Sequence, residues 1–322
     1  MIPSSLGEVL VCCSLVEEFK LKHDGDMVII VPQGAGFIAE LYAEYFHEIL
    51  EFPMGEIREL TASKVNTINS QFNRGMPINL WPQQYLNANC YQLFEWYIET
   101  EGAKGLDFID MYRHIMKLPV HSKVVLPDKK KIKNNESLLN FFRMNNLENR
   151  KFVVLNTGNN TTIPATKLIW TELANRFYSM GYRVIQNEHR SFFKTGDLGL
   201  DHVLKVDLDL PSLYGLIENA EKFVTGSNGG ALVAAALGLG CDINILLPEI
   251  FCENYDKGLF NNVKPYSGSN YFLTRDLISP CASYAEWICG QEVPYKILAD
   301  DICSKNKSSQ YLFHSQDALT PS

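Results

Sequence analysis

The sequence contains no long apolar run and no metal-binding pattern of cysteines. Its longest uninterrupted apolar segment, residues 231–237, is far too short to cross a bilayer. No secretory signal is visible at its start, so we expect a cytoplasmic protein with at most peripheral membrane contact. The eight cysteines include neither a CxxC pair nor a Cys/His spacing suited to a metal, which predicts reduced thiols.

Positive charge is also scarce. The 29 Lys and Arg residues are outnumbered by 37 Asp and Glu residues, which gives a formal net charge of −8. This balance argues against nucleic acid or an anionic membrane surface as the main partner. The content of 46% hydrophobic and 20% charged residues is typical of a globular protein, and 322 residues are enough for two domains, each with its own core.

One glycine-rich stretch organises the sequence. Residues 223–225 have the pattern of a buried strand, residues 226–230 that of a turn, and the residues from Ala231 onward that of a helix packed on a sheet. Glycines permit close backbone approach, and the first amides of a helix favour an anion. The stretch therefore suits a phosphate, although such turns also serve only to pack a helix on a sheet.

The order of strand, turn and helix recurs along the chain. In the first half, a helix begins near Glu8, an apolar strand covers residues 27–31, and a second helix is predicted over residues 37–50. Further strands are predicted in the second half at residues 152–155, 183–187, 203–206 and 243–247. Alternating strands and helices predict an α/β protein with parallel sheets.

Three short motifs, taken together, are typical of one known family. The first is SLGEVL at residues 5–10, and the second is FVTGSNGGALVAAAL at residues 223–237. The third is Lys167 ahead of WTEL at residues 170–173. These motifs resemble those of the lipopolysaccharide heptosyltransferases, glycosyltransferase family nine. They also resemble capsule-type relatives in which the next strand ends in Asn, as at Asn187.

The resemblance implies a GT-B fold, in which two Rossmann-like domains face a central cleft. The N-terminal domain, residues 1–148, would bind the acceptor. The C-terminal domain, residues 149–322, would bind the donor, and its last helices would cross back to the first domain. The implied partners are a nucleoside-diphosphate sugar donor and a glycan or lipid-linked saccharide acceptor. The resemblance further implies that no metal and no cofactor is needed.

Glu8 is the candidate catalytic base. Inverting glycosyl transfer needs a base for the acceptor hydroxyl and charge stabilisation for the departing nucleoside diphosphate. The family has Asp where this chain has Glu8, at a helix start that faces the cleft. The alternative is that a Glu in the first turn only complements the helix dipole, an effect of about 0.3–1 kcal/mol.

The donor-binding candidates come from the glycine-rich turn, from a polar loop and from a strand end. Lys167 would act as a point charge on phosphate, although a Lys before a helix is also an ordinary surface residue. The family's Asp and His positions are Ser227 and Leu232 here, so donor contacts must differ in detail. The full set of candidates is Thr157, Gly158, Asn159, Lys167, Asn187, Ser227, Asn228, Gly229 and Gly230.

Three functions stay open on these grounds. The first is a metal-independent inverting glycosyltransferase, of hexosyl or heptosyl type, that acts on a glycan or surface-polysaccharide acceptor. The second is a non-hydrolysing nucleotide-sugar epimerase, which uses the same scaffold and a similar phosphate turn. The third is a non-catalytic GT-B protein that binds a nucleotide sugar, because Glu8 and Leu232 depart from the family's motifs.

Overall fold

The fold is an α/β fold in which every strand pair is parallel, as predicted. A computed structural model describes residues 6–23, 25–53, 109, 112–113, 116–119, 122–132, 136–147, 151–158, 167–188, 196–226, 228–248, 282–287 and 292–304. Within these ranges, no helix is both long and apolar enough to cross a membrane.

The first unit of the fold runs from α1 to β2. It contains helices α1 (Leu6–Ser14) and α2 (Val16–Lys22), strand β1 (Val28–Pro32), helix α3 (Gly36–Glu40), a 3-10 turn (Ala43–Tyr45) and strand β2 (Glu48–Phe52). Strands β1 and β2 pair with Ile30 opposite Leu50. A second 3-10 turn (Lys129–Lys131) and helix α4 (Glu136–Met144) precede the second unit.

The helix predicted over residues 37–50 is wrong after Glu40. The chain leaves α3 there and forms β2, in which Ile49 pairs with Ile29, because strand pairing overrides the local helical pattern. The first helix is also interrupted, since Leu15 separates α1 from α2. Ser14 Oγ donates to the Val11 carbonyl at 2.7 Å, a local bond of the kind that bends helices.

The second unit is a six-stranded parallel sheet with helices on both faces. Its strand order, β5-β4-β3-β6-β7-β8, changes direction between β3 and β6. Open α/β sheets bind ligands outside the carboxyl ends of the strands at such a point. In chain order the elements are β3 (Phe152–Asn156), α5 (Lys167–Ser179), β4 (Arg183–Asn187), β5 (Val203–Val206), α6 (Leu210–Glu218), β6 (Lys222–Gly226), α7 (Gly229–Leu237), β7 (Asp242–Pro248), β8 (Ala282–Trp287) and α8 (Glu292–Ser304).

The six-stranded sheet separates two hydrophobic cores. Val154 and Ile185 face the core that contains α6, α7 and the first unit, whereas Val153 and Val184 face the core that contains α5 and α8. The first unit therefore shares one core with the second unit, where two separate cores were expected. Its helix α1 packs directly against α7.

The predicted domain boundary, between residues 148 and 149, lies outside the described residues. It stays a prediction, as does the return of the chain end to the first domain. The last described helix, α8, packs against α5 and β8 of the second unit.

Candidate functional site

The first turns of α1 and α7 meet with backbone against backbone. A Cβ atom built on Gly229 would lie 2.5 Å from the Gly7 amide nitrogen and 3.0 Å from the Leu6 Cβ. A Cβ on Gly7 would lie 3.4 Å from the Gly229 Cα. No side chain at position 229 fits between the two helices, so glycine there allows the N-termini of α1 and α7 to lie in contact. Each N-terminus carries a partial positive charge.

Glu8 directly follows this contact and is half-buried in the first turn of α1. Burial raises the pKa of the Cys12 thiol, one turn later, far above its ordinary range, and the negative charge of Glu8 adds to that effect. Glu8 is therefore partly covered by the fold at the start of α1. Its role as a base stays a prediction.

Asn228 is the N-cap of α7. Its backbone is extended, with φ −153° and ψ 172°, and its Oδ1 accepts a hydrogen bond from the Ala231 amide at 2.8 Å. The next two amides, those of Gly229 and Gly230, have no hydrogen-bond partner in the part of the chain that the structure describes, and both residues are only half-buried. Two amide donors at a helix start are suited to an anion.

Tyr214 covers one side of this turn. Its hydroxyl donates to the Gly230 carbonyl at 3.3 Å, and its ring stacks on Phe37 of α3 with 6.1 Å between centroids. Burial raises the pKa of the Tyr214 phenol well above its ordinary value, so the group remains a donor. The sequence carries no local signal for this role, because Tyr214 comes from α6 and reaches the turn only in the folded chain.

A row of hydrogen-bonded side chains crosses the carboxyl ends of three strands. Asn187 Nδ2 donates to Asn156 Oδ1 at 3.1 Å, and Asn156 Nδ2 donates to Thr225 Oγ1 at 3.1 Å. Asn228 Nδ2 lies 3.5 Å from Thr225 Oγ1 and 3.4 Å from the Gly158 carbonyl oxygen. The row thus connects three predicted residues, namely Gly158, Asn187 and Asn228.

Two members of this row, Asn156 and Thr225, were not among the sequence candidates. A signal for them exists, because each of the strands β3, β4 and β6 is an apolar run with a polar residue at or near its carboxyl end. The register that makes them neighbours pairs Asn156 with both Asn187 and Thr225. That register becomes visible only in the folded sheet.

Thr157 takes part in a separate network. Its Oγ1 donates to Glu188 Oε1 at 2.8 Å and accepts a hydrogen bond from Gln186 Nε2 at 3.0 Å. Glu188 Oε1 also accepts from the Gly196 amide at 2.9 Å. The Thr157 hydroxyl therefore holds the segment after β4, and its predicted contact with the donor is not established by this geometry.

Lys167 is the exposed first residue of α5. It lies near Asp197, whose pKa is lowered mainly by a hydrogen bond from Lys205 and to a smaller degree by the Lys167 charge. Its contact with a phosphate stays a prediction. The remaining candidates, Asn159 and Ser227, lie outside the described residues.

The described side chains include no group of three or more His, Cys, Asp or Glu residues that could hold a metal ion. The expectation that the protein needs no metal is a statement about its reaction, and it stays a prediction.

Three solved glycosyltransferase structures have the fold of this chain. E. coli ADP-heptose lipopolysaccharide heptosyltransferase II matches with a TM-score of 0.56 at 14% identity, over 92% of this chain and 95% of that one. A family nine glycosyltransferase from Veillonella parvula matches with 0.56 at 13% identity, over 89% and 85%. E. coli heptosyltransferase WaaC, solved with ADP, matches with 0.51 at 11% identity, over 88% and 92%.

These matches confirm the GT-B fold and, at the level of fold, the likeness to heptosyltransferases that the sequence motifs indicated. No protein-family model matches the sequence. A search of curated proteins finds no significant sequence match.

Proposed function

We propose that the protein is a glycosyltransferase that moves a sugar from a nucleoside-diphosphate sugar to a glycan acceptor, with inversion and without a metal. The contact between Gly7 and Gly229 carries this proposal, because it brings the Glu8 turn of α1 to the amides that begin α7. The three matched structures, two heptosyltransferases and one family nine glycosyltransferase, support the reaction class, and one of them was solved with ADP.

Each side of the contact has a part in the proposed reaction. The Gly229 and Gly230 amides, with the dipole of α7, bind the diphosphate and stabilise the charge that develops on its oxygen as the sugar leaves. Lys167 adds a positive charge. The Glu8 carboxylate takes the proton of the acceptor hydroxyl while the hydroxyl oxygen bonds to the anomeric carbon and the bond to the diphosphate oxygen breaks.

The proposal extends to the setting of the reaction. We propose a hexosyl or heptosyl donor and a glycan or lipid-linked saccharide acceptor that is a precursor of a surface polysaccharide. The reaction is proposed to take place in the cytoplasm, with at most peripheral contact between protein and membrane. These parts of the proposal are supported by the likeness to family nine motifs in residues 5–10 and 223–237.

The test measures turnover of a panel of nucleotide sugars in the presence and absence of glycan acceptors. We expect turnover only with an acceptor. Glu8→Gln should lower kcat by about 100-fold or more, the usual contribution of a general base, while donor affinity is retained. The matched control is Glu136→Gln, which removes an exposed carboxylate from the first turn of α4 and should leave turnover unchanged.

Three results would contradict the proposal in different ways. Conversion of the nucleotide sugar without an acceptor would indicate an epimerase. Full turnover by Glu8→Gln would exclude Glu8 as the base. Donor binding with no turnover of any acceptor by the wild-type protein would favour a binding protein.

A further inference from the structure

Asn187 presents a buried hydrogen-bond acceptor without a partner. The residue is 1% exposed, and its Oδ1 has no hydrogen-bond partner among the described residues. An unpaired buried amide oxygen is destabilising, so nearly all such groups in folded proteins are paired with protein, water or a ligand. Asn187 ends β4 at the carboxyl edge of the sheet, where α/β folds bind ligands.

The orientation of this amide follows from the helix cap two strands away. Asn228 Oδ1 accepts from the Ala231 amide, so its Nδ2 is the atom directed at Thr225 Oγ1. The Thr225 hydroxyl donates its single proton to the Gly226 carbonyl at 3.1 Å, and toward side-chain amides it therefore acts only as an acceptor.

The same logic continues along the row. Because Thr225 Oγ1 accepts, Asn156 must direct its Nδ2 toward Thr225 and its Oδ1 toward Asn187. Asn187 must then direct its Nδ2 toward Asn156, which leaves its own Oδ1 without a partner. The row is thus directional, and it ends in an acceptor.

The position of Asn187 relative to α7 suggests what binds there. Asn187, Asn156 and Thr225 each follow an apolar residue of the core around α7 by two positions, namely Ile185, Val154 and Phe223. They therefore lie on the same sheet face, the one that carries α7 and the first unit. Neighbouring strands are about 4.8 Å apart, which puts Asn187 about 10 Å from Thr225 beside the α7 turn. A nucleoside diphosphate with its phosphates at α7 is long enough to bring its nucleoside to Asn187.

We propose that Asn187 Oδ1 accepts a hydrogen bond from the nucleoside half of the bound nucleotide, either from a ribose hydroxyl or from an N–H group of the base. This inference rests on the proposed function, because it assumes that the diphosphate lies at the Gly229–Gly230 turn. The amide then acts as a specificity determinant, since a ligand without the donor leaves the oxygen unpaired.

The experiment measures the affinity of the wild-type protein and of Asn187→Ala for ADP, GDP, CDP, UDP and inorganic pyrophosphate. Asn187→Ala should weaken binding of the preferred nucleoside diphosphate by about tenfold, the usual effect of one buried hydrogen bond, and should not change pyrophosphate binding. The matched control is Asn244→Ala, which removes another buried Asn from the same sheet, on the opposite face, and should leave both affinities unchanged.

Analogues of the preferred nucleotide identify the donor. Of the 2′-deoxy, 3′-deoxy and base-N-methylated forms, one should bind about tenfold more weakly than the parent to the wild-type protein and equally to Asn187→Ala. If Asn187→Ala does not fold, the wild-type analogue series decides alone. Equal affinity for all analogues would overturn the inference.

Different binding results would contradict this inference and the proposed function. If nucleoside diphosphates bind and Asn187→Ala binds them as well as the wild type does, only the role of Asn187 is overturned. If neither nucleoside diphosphates nor pyrophosphate bind to the wild-type protein, the nucleotide site itself is wrong.

Discussion

The glycine turn between β1 and α3 and the glycine turn between β6 and α7 follow the same local pattern but are filled differently. In the first turn, the Glu51 carboxylate accepts a hydrogen bond from the Gly34 amide at 2.7 Å and lies where a Cβ of Gly36 would stand. In the second turn, the neutral Asn228 amide caps the helix and the two glycine amides that follow lack a partner among the described residues.

The difference bears on which of the two similar turns suits an anion. A carboxylate of the protein already supplies negative charge at the first turn, so a phosphate there would meet electrostatic repulsion. In the second turn no carboxylate among the described residues accepts a hydrogen bond from the Gly229 or Gly230 amide, and the turn begins a nine-residue helix rather than a five-residue one. A carboxylate bound to a turn amide, and not the strand-turn-helix pattern, is therefore what distinguishes the two turns.

Lysine side chains bind the carboxyl ends of both helices, α3 and α7. Lys131 Nζ donates to the carbonyl of Glu40, the last residue of α3, at 3.1 Å, and Lys129 Nζ donates to the carbonyl of Gly238, the C-cap of α7, at 3.2 Å. Positive charge at helix C-termini is stabilising. The Lys129–Lys131 turn thus links the two units, although a lysine run usually forms a solvated surface.

The largest expected effect is that of a methyl group added to the α7 turn. Gly229→Ala places a Cβ against the backbone of α1, which cannot move without separating the helices, and should lower the free energy of unfolding by about 1–3 kcal/mol. Turnover should fall by about 100-fold, because the Glu8 turn shifts relative to the diphosphate. Denaturant unfolding and steady-state kinetics measure the two effects.

Gly36→Ala is the matched substitution at the first turn. The atoms nearest to its Cβ belong to the Glu51 side chain, which can rotate away, so we expect a smaller loss of stability and no loss of turnover. Equal effects of the two substitutions would contradict the claim that close contact between α1 and α7 builds the site.

The second prediction concerns a substitution that gives the α7 turn a negative charge, as Glu51 gives the α3 turn. Asn228→Asp keeps an oxygen that can cap Ala231 but adds a negative charge beside the Gly229 and Gly230 amides. Affinity for nucleoside diphosphates should fall by about tenfold or more through repulsion of the phosphates. The thermal stability of the unliganded protein should fall as well, because a carboxylate oxygen replaces the Nδ2 that faces the Gly158 carbonyl and Thr225 Oγ1. Isothermal titration and thermal unfolding distinguish these two effects.

Glu51→Gln is the control for this exchange, because it removes the negative charge of the first turn while keeping an acceptor for the Gly34 amide. It should leave nucleotide affinity unchanged. A loss of affinity with Glu51→Gln that equals the loss with Asn228→Asp would show that the first turn also takes part in binding.

The strands of the second unit were predictable because they are short apolar runs bounded by turns. The predictions for residues 183–187 and 203–206 match β4 and β5 at both ends. The second strand of the first unit was missed, since Tyr45, Ile49 and Phe52 also fit helical spacing. Only its pairing with β1 distinguishes the strand from a helix, and that pairing depends on residues distant in the sequence.

The site was predictable where a local motif carries it and not where side chains from different elements meet. Glycine spacing alone indicated the turn before α7 and made Asn228 a donor-binding candidate, whereas the capping role of its side chain became visible only in the structure. The roles of Glu51 and Tyr214 arise from contacts across 17 and 16 residues of sequence, respectively. Neither contact leaves a periodic or motif-like trace in the chain.

The smallest expected effect is the loss of stability when Lys131 is replaced. Lys131 forms an ion pair with Glu44 at 2.7 Å, in the turn that links the two units. Burial is the largest single cause and would raise the pKa of Glu44, but the hydrogen bond and the charge of Lys131, together with a backbone hydrogen bond, outweigh it, and the pKa lies below its ordinary value of 4.5. A lowered pKa stabilises the fold above the unfolded-state value, and this stabilisation is lost as the pH falls through the folded-state value.

Lys131→Met should therefore cost at most about 1 kcal/mol at neutral pH, because both side chains are partly exposed. Unfolding measured across the pH range should show this cost shrinking below about pH 4, whereas Lys130→Met, at an exposed neighbouring position, should have no such pH-dependent effect. A cost that does not change on acidification would mean that Lys131 acts through the Glu40 carbonyl and not through Glu44.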